Sequence, residues 1–424
     1  MNDRIYTLTG RTGFLVAGTL IAVLLSFCTG PAAQMERTTW RAALKTDSGA
    51  EIPFNFSVTD SAGEMQLEIM NGTERFRVTD IRSVGDSVFI RMPLFDSDIR
   101  ALLKGTALEG HWIKHLATKD VMMEFNAVPG DSARFRVAKE TAPMNVAGKW
   151  AGIFTGKDGK DTSIAVGEFV QNGQKVTGTF LTTTGDYRFL EGAVSGRKLS
   201  LSCFDGSHAF LFTGDIGPDN KIGNGKFYSG LSSVDLWTAT RDENAALPDA
   251  YSLTKLKPGF TKIDFSFPDL SGKKVSLSDE RYRGKVVIIQ FMGSWCPNCM
   301  DETAYLVPFY NKYKERGLEI IGLAYERFTD FKRAKANITQ LKDHFGVNYE
   351  LLATGYQNDK KEVARSVPAL KEFLAFPTTI LINRKGEVSR IHTGFSGPGT
   401  GKHYDEFITE FEKSVNDLLA EKPL

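Results

Sequence analysis

Two cysteines separated by two residues, Cys296 and Cys299, are the residues of this chain best suited to covalent chemistry. A run of β-favouring residues between Gly284 and Gly293 predicts a short buried strand before them, and helical spacing begins after Cys296. Free N–H groups and the positive dipole end of a helix stabilise a thiolate at that position. Cys296 is therefore the predicted nucleophile of a disulfide exchange, and Cys299, one turn along, is the predicted resolving thiol.

Half of a zinc site is the main alternative for such a pair of cysteines. A four-ligand zinc site needs two more cysteines or histidines nearby. The chain has four cysteines and six histidines in all, and they do not cluster. We therefore expect a redox-active dithiol that uses no metal and no cofactor.

The residues around the dithiol resemble the thioredoxin-like fold. More narrowly, they resemble the envelope thiol-disulfide proteins of the TlpA and ResA type, whose active site also has Trp-Cys-Pro-x-Cys after a strand. Here that motif runs from Trp295 through Pro297 to Cys299. The resemblance implies that residues 258–424 form an α/β thioredoxin-like domain.

Three further stretches carry the same resemblance. Residues 263–273 resemble the N-terminal β-hairpin of the family, and Glu302 stands where the group usually has a glutamate. Far downstream, Phe376-Pro377-Thr378-Thr379 precedes an apolar run and matches the family's cis-proline with the strand after it. An ordinary trans proline in a turn is the alternative for Pro377.

The resemblance implies a catalytic set and a set that positions the substrate backbone beside the cis-proline. The implied catalytic residues are Cys296, Cys299, Glu302 and Pro377, with Cys296 and Cys299 forming the redox-active disulfide. The implied substrate-positioning residues are Trp295, Pro297, Phe376 and Thr378.

One departure from the thioredoxin pattern concerns the base that activates the resolving thiol. Classical thioredoxins have a buried aspartate six residues before the first cysteine, where this chain has Gln290. An amide cannot take a proton from Cys299, so the resemblance implies Glu302 as the substitute base. The alternatives are that Glu302 lies on an exposed helix face and that Gln290 only packs and hydrogen-bonds in the core.

The N-terminus predicts export. Arg4 and Arg11 precede an apolar stretch from Phe14 to Phe27. Small residues follow up to Ala33, which gives the layout of a secretory signal peptide over residues 1–33. We expect cleavage after Ala33 and a soluble protein in the periplasm or cell envelope.

A cysteine inside this leader allows a second interpretation. Leu25-Ser26-Phe27-Cys28 nearly fits a bacterial lipobox, in which the cysteine is lipidated. The residue before such a cysteine is normally small, and Phe27 is not. A lipid anchor at Cys28 is therefore the alternative to soluble export.

The middle of the chain carries a weak internal duplication. Residues 34–140 and 141–245 align with a period of about 110, so that Trp40 corresponds to Trp150. Short alternating strands broken by Gly, Asn and Asp predict two tandem antiparallel β units, each a barrel or a sandwich. In the second unit Cys203 is expected to pack as a small hydrophobe.

A linker over residues 246–257 is predicted to join the β units to the redox domain. The surrounding stretch, 241–259, is polar and contains prolines, which favours few contacts and relative movement. Beyond it the pattern predicts strands at 318–323, 350–353, 379–382 and 387–392, and helices at 330–345, 359–373 and 404–419. Pro368 is expected to break or kink the second of these helices.

Together these features predict an exported thiol-disulfide oxidoreductase, in the direction of a protein-disulfide reductase. Its partners would be disulfide-containing client proteins and, as the resemblance implies, a membrane-linked electron donor. With 52 basic and 51 acidic residues, the charge gives no reason to expect a nucleic-acid partner.

Two other functions stay open. One is an envelope binding protein in which the β repeat is the main functional part. The other is a thiol peroxidase, although the Thr or Ser and the Pro which that chemistry needs before the cysteine are replaced by Gly293 and Ile289.

Overall fold

The computed structural model of the protein describes residues 34–137 and 142–422. The expected signal peptide, residues 1–33, and the lipidation candidate Cys28 lie outside these described residues. None of the helices within the described ranges is long and apolar enough to cross a membrane. The described chain forms two antiparallel β units followed by an α/β unit, which confirms the predicted fold class.

The first β unit is a nine-stranded sheet in the order β4-β3-β2-β1-β9-β8-β7-β6-β5. Its edge strands β4 and β5 are joined by Thr79 alone, so the sheet curls until its two edges meet there. Trp40, Phe54 and Phe125 fill its core. The strands are β1 (Thr39–Lys45), β2 (Glu51–Ser61), β3 (Glu64–Asn71), β4 (Glu74–Val78), β5 (Asp80–Val84), β6 (Ser87–Arg91), β7 (Ser97–Lys104), β8 (Ala107–His115) and β9 (Asp120–Pro129).

The second β unit is also nine-stranded, and its β11 pairs with β12 to close the barrel. Its strands are β10 (Gly148–Thr155), β11 (Thr162–Asn172), β12 (Lys175–Thr182), β13 (Gly185–Asp186), β14 (Leu190–Ser195), β15 (Lys198–Phe204), β16 (Ala209–Ile216), β17 (Lys221–Ser229) and β18 (Ser233–Arg241). Cys203 lies fully buried in the core of this barrel, as predicted. Burial raises the pKa of its thiol well above the ordinary value, so it stays protonated and unreactive.

The two tryptophans that the duplication aligns lie in the first strand of each β unit and make the same hydrogen bond. Trp40 donates its indole N–H to the carbonyl of Glu36 at 3.0 Å. Trp150 donates in the same way to Val146, also four residues earlier, at 2.8 Å. Both indoles are fully buried, so each needs this partner within its own unit.

The third unit is a five-stranded mixed sheet in the order β23-β22-β21-β24-β25, with a small hairpin of β19 and β20 beside it. Its elements are β19 (Ser266–Pro268), β20 (Lys274–Ser276), β21 (Val286–Met292), α1 (Pro297–Tyr313), β22 (Leu318–Ala324), α2 (Phe331–Phe345), β23 (Glu350–Ala353), α3 (Lys360–Ser366), β24 (Thr378–Ile382), β25 (Val388–Thr393) and α4 (Lys402–Leu419). Successive residues of β21, such as Val286 and Val287, belong to two different apolar clusters. The sheet is therefore covered on both faces.

One helix ends where a proline interrupts its sequence pattern. The sequence predicts helix over residues 359–373 with a break or kink at Pro368, and α3 ends at Ser366. Pro368 has no N–H to continue the helix, and it forces the residue before it out of helical geometry. Val367 accordingly has φ −128° and ψ 81°.

The stretch before the redox domain is attached to it more firmly than expected. Thr254 is buried, and its hydroxyl lies 2.7 Å from that of Thr393 in β25. The backbone N–H of Lys257 donates to Ala369 O at 2.9 Å. The expectation of few contacts is therefore wrong for the second half of this stretch, because it adds backbone and side-chain hydrogen bonds to the α/β unit.

Candidate active site at the junction of the second β unit and the α/β unit

The two cysteines lie at the N-terminus of α1, directly after the buried strand β21. Cys296 is the N-cap residue, and its sulfur accepts the backbone N–H of Cys299 at 3.3 Å. Pro297 occupies the first helical position, where its missing N–H costs nothing. The two sulfurs are paired as a disulfide, with Cys299 fully buried and Cys296 6% exposed.

The loop that carries the dithiol is held by the end of the neighbouring parallel strand β22. Glu326 accepts the backbone N–H of Ser294 at 2.8 Å and its hydroxyl at 2.6 Å. The indole of Trp295 donates to Tyr325 O at 2.9 Å. Sequence reasoning missed Glu326, although a carboxylate just beyond the C-terminal end of a strand beside β21 was the available signal.

The side chain of Glu302 is buried beside the dithiol helix rather than on an exposed face. It is 1% exposed. It accepts one hydrogen bond from Gln290 at 2.8 Å and another from Thr379 at 2.6 Å. Burial raises the pKa of Glu302 to about 7, with these two donors opposing the rise. Gln290 thus occupies the position of the usual aspartate and acts as a donor to the glutamate.

The geometry allows Glu302 to exchange a proton near neutral pH. It lies three residues after Cys299, so the two side chains share one side of α1 a single turn apart. A carboxyl group with a pKa near 7 is present in both protonation states under ordinary conditions. This is the property that a proton acceptor for the resolving thiol requires.

Replacing Glu302 with glutamine is expected to change how stability depends on pH. The pKa of Glu302 is raised from 4.5 to about 7 in the folded protein, so its contribution to stability is complete below pH 4.5 and is lost as the pH rises through 7. The loss corresponds to about 3 kcal/mol. The free energy of unfolding, measured with denaturant, should therefore decrease less between pH 4.5 and 8 in Glu302→Gln than in wild type.

A matched control for this measurement is Glu315→Gln, which changes an exposed glutamate in the turn after α1. The control should follow the pH dependence of wild type. An unchanged pH dependence in Glu302→Gln would contradict a buried carboxyl that ionises near neutrality.

The residues predicted to position a substrate are only partly brought together. The Phe376–Pro377 peptide bond is cis, as the resemblance implies. Trp295, Cys296, Pro297 and Phe376 line one cavity of about 250 Å³. Thr378 is fully buried, donates its hydroxyl to Ala375 O at 2.7 Å and does not line that cavity.

The other wall of this cavity comes from the second β unit, which sequence reasoning did not foresee. Thr184, Asp186 and His208 belong to this wall. Ser207 donates its hydroxyl to Trp295 O at 3.1 Å, and Asn298 donates its amide to Asp186 O at 3.3 Å. The β unit therefore contacts the residues on both sides of Cys296.

A buried arginine joins all three units beside the dithiol. Arg188 of the second β unit forms ion pairs with Glu74 of the first unit and Asp301 of α1. It also donates to the carbonyl of Pro297 at 3.2 Å, and Asp205 lies 3.7 Å from its Nε. Burial raises the pKa of Asp301 to about 6, although Arg188 opposes the rise.

The comparisons with known proteins concern the C-terminal part of the chain. The AhpC/TSA family model matches residues 259–391. The thiol-disulfide oxidoreductase ResA of Geobacillus kaustophilus (strain HTA426) is 33% identical over 141 residues, which cover 33% of this chain and 72% of the relative. ResA of Bacillus subtilis (strain 168) is 29% identical over 139 residues, which cover 33% of this chain and 69% of the relative.

A solved structure of a thiol:disulfide interchange protein of the thioredoxin family from Chlorobium tepidum TLS is 21% identical. It covers 39% of this chain and 99% of its own chain, with a TM-score of 0.29. The identity with the Geobacillus relative, and the share of that relative which is covered, determine the assignment. Through its C-terminal unit, this chain belongs to the ResA family of thiol-disulfide oxidoreductases.

Proposed function

We propose that the protein is an exported protein-disulfide reductase in which Cys296 attacks a client disulfide and Cys299 resolves the intermediate. The observation that carries the proposal is the placement of the dithiol, with Cys296 as the N-cap of α1 and Glu302 buried one turn beyond Cys299. Helix N-termini favour thiolates, and a thiolate is the species that attacks a disulfide.

The proposed reaction has two exchange steps. The Cys296 thiolate forms a bond to one sulfur of the client, the client S–S bond breaks, and the second client sulfur leaves. Glu302 then takes the proton of Cys299, whose sulfur attacks Cys296 and releases the first client sulfur. Two electrons pass from the dithiol to the client, which leaves as two thiols while Cys296 and Cys299 form a disulfide.

The substrate backbone is proposed to lie beside Pro377, against the wall formed by Trp295 and Phe376. These two aromatic rings meet edge to face with centroids 5.4 Å apart. With Cys296, Pro297 and Asn298, they form the part of the α/β unit that faces the cavity. A membrane-linked electron donor would then return the disulfide to the dithiol.

Export is proposed from residues 1–33, whose basic, apolar and small segments follow the order of a secretory leader. A periplasmic or envelope location suits a dithiol that needs a dedicated donor to stay reduced. A soluble protein is our first proposal, and a lipid anchor at Cys28 is the alternative form of the same localisation.

The Cys299→Ala variant is expected to accumulate mixed disulfides between Cys296 and client proteins. Without the resolving thiol, the first exchange step occurs and the second cannot. The variant would be expressed in envelope preparations, trapped with acid and alkylating reagent, and examined by non-reducing electrophoresis and mass spectrometry. The double variant Cys296→Ser, Cys299→Ala is the matched control and should trap nothing.

Two results would contradict the proposal. Absence of adducts at Cys296 in the single variant would remove the two-step mechanism. Equilibration of the wild-type dithiol with glutathione gives the direction, because a reductase has a potential more reducing than the glutathione couple. A more oxidising potential would make the protein an oxidase.

A thiol peroxidase is not favoured as an alternative. Peroxide chemistry of that kind needs a Thr or Ser three residues before the reactive cysteine, and Gly293 stands there. Glycine offers no hydroxyl group to bind or polarise a peroxide. The hydroxyl nearest in sequence, that of Ser294, donates to Glu326 at 2.6 Å.

A further inference from the structure

A four-residue turn of the second β unit, Asp205–His208, lies against the active-site loop. It joins β15 to β16. The carboxylate of Asp205 accepts the backbone N–H groups of Ser207 at 2.8 Å and of His208 at 2.6 Å. The turn is fixed to the dithiol loop because Ser207 donates its hydroxyl to Trp295 O. The bonds to Asp205 therefore hold the shape of the turn, and the bond to Trp295 fixes its position relative to the dithiol loop.

The imidazole of His208 is oriented by two contacts. Its Nδ1 lies 3.2 Å from Asp205 Oδ2, and its ring stacks on Phe210 with centroids 4.6 Å apart. Asp205 is 1% exposed, and although burial opposes ionisation, its contacts with His208 and Arg188 hold the pKa of its carboxyl at about 2. Asp205 is therefore a permanent acceptor, which assigns the proton of a neutral imidazole to Nδ1.

The second ring nitrogen is left available. No described residue forms a hydrogen bond with His208 Nε2. The side chain is 33% exposed, although its partner Asp205 is buried. His208 lines the same cavity as Cys296, Trp295 and Phe376. Cys296 and His208 thus line one space of about 250 Å³, and His208 brings an imidazole nitrogen without a described partner.

We propose that His208 is a catalytic proton carrier, supplied by the β unit, for the exchange at Cys296. This inference rests on the proposed function. Cys296 ionises at the N-terminus of α1, and Nε2 holds the proton that it releases. The thiolate then attacks, a Cys296–sulfur bond forms and the substrate S–S bond breaks. The imidazolium then gives that proton to the departing thiolate, so His208 ends the step neutral.

The dithiol releases two protons over one reaction cycle, and the structure offers one carrier for each. Glu302 lies beside the resolving thiol, inside the α/β unit. His208 belongs to the wall that the β unit supplies, and the proposal places the substrate's leaving sulfur against this wall. A bare thioredoxin-like domain has only the first of these walls, which gives the attached β unit a chemical purpose.

The charged groups around His208 favour a neutral ring at neutral pH. Burial lowers the pKa of His208, the positive charges of Lys114 and Arg188 act in the same direction, and Asp205 opposes them. Lys114 donates to Ser207 O at 2.6 Å, and burial lowers its own pKa to about 8. Asp186, on the same wall of the cavity, accepts the backbone N–H of Gly397 at 2.7 Å.

The test compares two small uncharged disulfides that differ in how much their leaving group needs a proton. Bis(2-hydroxyethyl) disulfide releases a strongly basic alkyl thiolate, whereas 4,4′-dithiodipyridine releases a pyridinethione that is stable without a proton from the enzyme. Reduced full-length protein is mixed with each disulfide, and loss of the dithiol is followed by acid quenching, alkylation and mass spectrometry. The variant is His208→Asn, whose amide can still donate to Asp205.

We expect His208→Asn to react about 100-fold more slowly with bis(2-hydroxyethyl) disulfide and within about twofold of wild type with dithiodipyridine. Free imidazole should restore part of the lost rate. His111→Asn, at an exposed histidine of β8, is the matched control and should behave as wild type. His208→Gln is a second variant should His208→Asn fold poorly.

The outcomes separate this inference from the function on which it rests. Equal slowing with both disulfides would show that His208 only shapes the cavity, and an unchanged rate with the alkyl disulfide would exclude proton transfer. Either result overturns the inference while leaving the dithiol mechanism in place. Failure of the wild-type dithiol to react with either disulfide would instead overturn the proposed function.

Discussion

Replacing Cys296 with serine is expected to slow thiol–disulfide exchange by at least about 1000-fold, because a hydroxyl group cannot replace a thiolate as the attacking group. Cys296 is the cysteine whose sulfur accepts a backbone N–H at the start of α1 and which lines the cavity. The rate is measured in single-turnover reactions of reduced protein with a small disulfide. Cys299, the other thiol of the pair, is fully buried and should not substitute for Cys296 as the nucleophile.

The matched control for this loss is Cys203→Ala. Cys203 is a thiol of the same chain, but it lies in the core of the second β unit with its pKa raised by burial. Its removal should leave the exchange rate within about twofold of wild type. Substantial exchange in Cys296→Ser would assign the nucleophile to another cysteine and contradict the mechanism.

Replacing Arg188 with methionine is expected to destabilise the protein by about 3–5 kcal/mol. The substitution leaves Glu74, Asp301 and Asp205 without the cation that joins them, at side-chain exposures of 11%, 16% and 1%. Buried carboxylates without a partner are costly, whereas an exposed pair contributes little. Denaturant unfolding of the full chain measures the loss, and limited proteolysis tests whether the α/β unit separates from the β units.

Arg197→Met provides the comparison for this second prediction. Arg197 is an exposed arginine of the same β unit whose guanidinium donates to the carbonyl of Ile216 at 2.9 Å. This substitution should lower the free energy of unfolding by less than about 1 kcal/mol. A loss of similar size in Arg188→Met would show that the three-unit contact adds little to stability.

The redox centre could be predicted from the sequence because its signals are local. The spacing of Cys296 and Cys299 is contained in four residues, and the strand before them is a single apolar run. The resemblance implies a cis bond before Pro377, and the Phe376–Pro377 peptide bond is cis in the structure. Strand and helix patterns were also sufficient to place most of the α/β unit, and Pro368 predicts the break at which α3 ends.

The junction beside the dithiol could not be predicted in this way. Arg188 and Asp301 are 113 positions apart in the sequence, and neither lies in a sequence pattern that predicts its partner. His208 is the last residue of a short turn between two strands, and only the docking of the β unit brings it to the cavity of Cys296. Pairings of this kind depend on how whole units pack, which is not encoded in periodicity or spacing.

The surroundings of Glu302 fall between these two cases. Its position was available from the resemblance, but its burial was not, because a single glutamate on a helix is most often exposed. Gln290 and Thr379 make the burial tolerable by donating one hydrogen bond to each carboxyl oxygen. Recognising this required the sheet register that places β21 beside β24.

The central claim is that the N-terminus of α1 makes Cys296 acidic enough to be a thiolate at neutral pH. The most direct test is the ultraviolet thiolate absorbance of fully reduced protein as a function of pH, with the Cys296→Ser variant subtracted. We predict a pKa for Cys296 below about 7.5. A pKa no lower than that of free cysteine, about 8.5, would contradict the account.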